Sequence, residues 1–150
     1  MPNWVFVVFS VLGGACVALQ PTLNGGLARF VGPHWTTAFS FLVGGTLATI
    51  FAFFSGSPSV LSRLGEANWY NWIGGGICGA LLVLAFTVSV PRIGVVALVF
   101  SSISGQVLTA MTIDHFGFFG VTRTPMDLRR AAAIPLILLA LWRVQRPAPT

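Results

Sequence analysis

Residues 4–24 read WVFVVFSVLGGACVALQPTLN, a run without one charged side chain. As a helix rising 1.5 Å per residue, it crosses the roughly 30 Å hydrocarbon layer of a bilayer. Three more runs of similar length and character follow, at 35–54, 69–90 and 94–113. A fifth, at 128–144, is weaker. Its apolar centre holds Pro135, and it spans only if Arg129, Arg130 and Arg143 snorkel outward; a re-entrant segment is the alternative. The expectation is an all-α integral membrane protein with one domain of five transmembrane helices, multi-pass in the bilayer.

Composition points the same way. Among the 150 residues, 55% are hydrophobic and only 7% charged, where a soluble protein carries about 25% charge. The net charge of +5 comes from eight arginines and no lysine. The arginines sit at or near the edges of apolar runs, which suits membrane-end anchors and excludes a basic face tracking nucleic-acid phosphates. No positive charge precedes the first run, so a cleavable signal is not expected. Cys16 and Cys78 lie inside apolar runs and read as small packing residues. Enzyme signatures are absent: no zinc-ligand spacing, no phosphate loop, no acidic pair, hence no catalytic residue, metal or cofactor.

Five spans put the two ends on opposite sides. Arg63, Arg123, Arg129 and Arg130 then fall on one side, and Arg29, Arg92, Arg143 and Arg146 on the other. Topology follows the arginine difference between sides, and here the difference vanishes. Such a chain is expected to insert both ways and pair as an antiparallel dimer; the alternative is a fixed topology in which some arginines do not count. Small residues offer close-packing faces, with Gly75 and Gly79 on the third run and Ala97, Ser101, Gly105 and Thr109 on the fourth.

Polar groups at membrane depth are costly, and so mark candidate sites. Gln20 and Asn24 flank Pro21, whose missing N–H frees the carbonyl of Val17; this reads as a broken-helix site or as a plain helix end. Gln106 sits about 18 Å into the fourth run, near mid-membrane, as a pocket-facing amide or an interhelical tie. Asp114 and His115 follow the fourth run as a proton-carrying pair, or as a helix end neutralised by Arg129 or Arg130. In an antiparallel pair, Gln20 and Asn24 of one copy share a half of the membrane with Gln106 and Asp114 of the other.

The stretches Gln20–Asn24, Phe39–Gly44, Trp69–Gly75, Val90–Gly94, Gly105–Gln106 and Ile113–Gly117 resemble the YdcZ-like small transporters of the drug/metabolite transporter superfamily. The likeness runs to Arg130; the alanines at 131–133 and Pro135 depart from it. The resemblance implies a bacterial inner-membrane exporter of small organic compounds, working as an antiparallel homodimer or with a homologous paired half. Gln20, Asn24 and Gln106 are then expected to contact substrate, and Asp114 with His115 to couple transport. A passive channel and a non-transporting membrane subunit are the competing readings.

Overall fold

The computed structural model describes residues 3–55, 65 and 67–145. They form α1 (Asn3–Ser55), α2 (Trp69–Phe116), a 3-10 turn (Phe118–Gly120) and α3 (Leu128–Gln145), with no strand among the described residues. Both α1 and α2 are long and apolar enough to cross a membrane, with mean hydropathies of 1.8 and 2.2. Each is broken at one residue. Gly32 has φ 81° and ψ 160°, and Gly94 has φ 76° and ψ 166°. This backbone region is essentially closed to any residue with a Cβ. Helix α1 is therefore two stretches, 3–31 and 33–55, and α2 is two more, 69–93 and 95–116. Their lengths are roughly 43, 34, 37 and 33 Å, and α3 adds about 27 Å.

The first stretch corrects the sequence reading, which ends it at residue 24. Pro21 lies inside a continuous helix, so neither a break nor a helix end occurs there. A mid-helix proline forfeits one hydrogen bond, and an otherwise strongly apolar helix absorbs that loss. The stop comes at Gly32–Pro33, where glycine accepts the positive φ and proline starts the next helix with its φ already set. Thr36 and Thr37 then donate their hydroxyls to the carbonyls of Gly32 and Pro33, each at 2.9 Å. Cys16 and Cys78, expected in packed positions, are both exposed.

The chain divides into two units, Met1–Arg92 and Ile93–Thr150. In the first, residues 3–31 and 33–55 form a helical hairpin. Asn24 and Ser40, equally far from Gly32 on either side, meet at 2.9 Å. The 69–93 stretch touches both arms. A Cβ on Gly79 would stand 3.1 Å from the Phe41 ring, and one on Gly25 would stand 3.0 Å from Val90 Cγ1. Gly79 thus admits an aromatic neighbour, whereas Gly75 has open space around it. The covered positions are mostly small or polar, Pro21, Asn24, Gly25, Thr36 and Thr87 beside Val83, while Phe9, Phe30, Phe53 and Phe54 point outward.

In the second unit, Ser104, Val107 and Leu108 face Ile134, Ile137 and Leu138 of α3 with no room for a water between them. The small-residue face is used unevenly. Ala97 is buried, Ser101 half-buried, and Gly105 exposed with nothing near its missing Cβ.

Candidate substrate site and coupling cluster

Gln20 and Asn24 are four residues apart and so share one helix face. Gln20 is exposed; Asn24, one turn on, is only 8% exposed. The hairpin sets that contrast, since Asn24 is near enough to the Gly32 turn to be covered by the returning arm. Ser40 Oγ donates to Asn24 Oδ1 at 2.9 Å. The other end of the amide, Nδ2, is buried without a partner. An orphaned buried donor costs about 1–3 kcal/mol, and for a neutral amide in an apolar surround that is a large local penalty. Ser40 is the member of this site that the sequence reading did not single out, although it falls within the Phe39–Gly44 stretch.

The second unit holds Gln106. Its Nε2 donates to Ser102 Oγ one turn earlier at 2.6 Å, and the side chain is exposed. Among the described residues this amide is tied to its own helix and bridges to no other. Gly105 beside it leaves the surface open.

Asp114 and His115 lie in a compact knot between the end of α2 and the start of α3. The αL conformation of Gly117, φ 69°, turns the chain back so that Arg123 and Thr124 return over the helix end. Thr124 N donates to Asp114 O at 2.8 Å, and Arg123 Nε to His115 O at 3.0 Å. These bonds satisfy carbonyls that the end of a helix would otherwise leave open. Met126 N donates to His115 Nδ1 at 3.1 Å, which requires that nitrogen to be unprotonated. The Asp114 carboxylate pairs with Arg130 at 3.4 Å, both groups about two-fifths exposed. Asp127 Oδ1 caps α3 by accepting from Arg130 N at 2.8 Å. This cap and the two return bonds to the end of α2 also escaped the sequence reading. A Ser/Thr/Asp ahead of an apolar run is a legible cap signal, but the return bonds depend on the Gly117 turn.

Among the described residues no group of three or more His, Cys, Asp or Glu could hold a metal. Of the arginines in the topology count, Arg63 and Arg146 lie outside the described residues, as does the side chain of Arg129.

Helices long enough to span, with large apolar side chains turned outward and Asn24, Thr36, Thr87 and Ser104 covered, define an α-helical integral membrane protein. The chain matches, over residues 5–143, the family model described as "Putative inner membrane exporter, YdcZ". It belongs to that family, a family of membrane exporters and not of enzymes. No curated protein and no solved structure matches it.

Proposed function

We propose that the chain is one half of an exporter of small organic metabolites or drug-like compounds in the bacterial inner membrane. It crosses five times, through residues 3–31, 33–55, 69–93, 95–116 and 128–145, and works by alternating access at the interface of an antiparallel dimer. The partner is a second copy or a homologous half. An odd number of crossings with balanced arginines supports this arrangement.

Gln20, Asn24 and Gln106 contact the substrate, and Asp114 with His115 couples transport. The observation that carries the reading is Asn24, a buried amide whose Nδ2 has no partner among the described residues. No acid lies within the described spans short of the Asp114 cluster, so neutral, zwitterionic or weakly polar solutes suit the site better than permanent organic cations.

Counterflow in proteoliposomes tests this. Saturable exchange that Gln106→Leu weakens at least about tenfold, the loss expected for one well-placed hydrogen bond, supports the carrier. Unsaturating current supports a passive channel. Normal transport with normal affinity in Gln106→Leu makes Gln106 a packing residue.

A further inference from the structure

The Asn24 amide presents one end to Ser40 and the other to nothing, and which end is which decides what the site can recognise. Ser40 Oγ donates to the carbonyl oxygen. That leaves the NH2 group as the free face, with two donors and no acceptor. The other buried hydroxyls of this unit do not complement it. Thr36 is committed to Gly32 O at 2.9 Å and Thr87 to Val83 O at 2.7 Å. The nearest polar neighbour on the same face, Gln20, lies outside the covered region.

We propose that Ser40 is a positioning residue that fixes the Asn24 amide with its donor end free. The transport site therefore selects substrates carrying a hydrogen-bond acceptor, a carboxylate or an amide carbonyl, over ammonium compounds. This rests on the transporter reading above. An incoming carboxylate oxygen satisfies the orphaned N–H and gains a charge-assisted bond. An ammonium group brings only more donors and leaves Nδ2 unpaired. Because Nδ2 is closed off, the acceptor enters when residues 3–31 and 33–55 part about Gly32, and the Asn24–Ser40 bond spans that parting line. Ser40 thus acts twice, orienting the amide and tying the hairpin shut around it.

The test uses the purified protein in lipid nanodiscs with three probes of one shape: cyclohexanecarboxylate, cyclohexanecarboxamide and cyclohexylammonium. Binding is read as the rise of melting temperature with probe concentration. The carboxylate and carboxamide are expected to bind at least about tenfold tighter than the ammonium, the worth of one satisfied donor. Ser40→Ala, whose amide is free to rotate, shrinks that ratio to about threefold or less, and Ser40→Thr restores it. A residue that served packing alone would not move the ratio. Asn24→Leu responds to no probe, and added to Ser40→Ala, where the Asn24–Ser40 tie is already gone, it melts no lower than Ser40→Ala alone because an unpaired donor has been removed.

Equal binding of all three probes, binding of none, or preference for the ammonium overturns the proposal. A lower melting temperature or smaller oligomer when Asn24→Leu is added to Ser40→Ala also overturns it, by assigning the acceptor to the protein itself or to a second copy. Intact counterflow alongside any of these results sinks only this inference. Absent counterflow sinks the transporter reading beneath it.

Discussion

Replacing Gly25 by alanine tests the packing that encloses the amide site. The added Cβ would lie 3.0 Å from Val90 Cγ1 and 3.9 Å from Pro91 Cγ. Carbon atoms prefer 3.5–4.0 Å, so Val90 must retreat by at least half an ångström or turn. Turning is restricted, since a valine in a helix has one strongly preferred χ1. Overpacking of this kind costs about 1–3 kcal/mol, and removing a mid-helix glycine returns about 1 kcal/mol. The expected net loss for Gly25→Ala is therefore about 0–2 kcal/mol. Val90→Ala alone, at a half-buried site, loses roughly 0.5–1 kcal/mol of van der Waals contact. The double variant removes the methyl group that the new Cβ meets and recovers most of the overpacking term, a coupling of about 1–3 kcal/mol. Gly26→Ala is the control, because nothing lies within 4 Å of its Cβ position. Reversible unfolding in mixed micelles measures all four proteins. Additivity of Gly25→Ala and Val90→Ala within about 0.5 kcal/mol, or an equal loss in Gly26→Ala, would refute the packing of the 69–93 stretch against the first arm.

Gly32→Ala and Gly94→Ala force a Cβ into the glycine-only backbone region. Each is expected to lose at least about 1–3 kcal/mol and to yield little folded protein, read as the monodisperse fraction on size exclusion. Asp114→Asn and Arg130→Gln both break the 3.4 Å pair. Since the pair is partly exposed, either loses no more than about 1 kcal/mol of stability. Under the proposed coupling role only Asp114→Asn uncouples flux from a proton gradient, and equal flux defects in both variants would reduce Asp114 to an ion-pair partner. His115→Ala removes the acceptor of the Met126 amide. Hydrogen exchange at Met126 should quicken roughly two- to tenfold at fixed pH.

The helical and membrane-spanning character was legible because it is written in local statistics. Residues 4–24 carry no charge, the later runs carry few, and lipid leaves helix as the way to satisfy the backbone. What was not legible was where the first helix stops. Pro21 and Gly25–Gly26 look like punctuation, but whether a proline or glycine ends a helix depends on what packs beside it. Gly25 is a contact point for Val90, and the stop belongs to Gly32, one of several glycines with nothing in its side chain to set it apart. The Asn24–Ser40 pair was hidden for the same reason. Once the turn is placed at Gly32, residues 24 and 40 fall at mirrored distances along the two arms and their meeting follows from geometry. Before it is placed, no spacing rule joins them.

That dependence gives the pair its physical meaning. In water, three helical stretches with the amide of Asn24 and the hydroxyls of Thr36, Ser40 and Thr87 facing inward and phenylalanines facing out would have no reason to close, because the polar groups would prefer solvent and the rings each other. In lipid the preference reverses. The rings lose nothing by facing acyl chains, and every polar group gains by turning toward another. Thr36 and Thr87 resolve their own hydroxyls within the helix, Ser40 resolves its hydroxyl on Asn24, and the set closes except for one NH2 group. A helical pair selected for stability alone could have placed leucine at 24 and alanine at 40, removing the orphan together with the hydroxyl that needs the amide. The amide is therefore better explained by what it binds than by what it holds together, and the melting temperature of Asn24→Leu in the Ser40→Ala background separates the two.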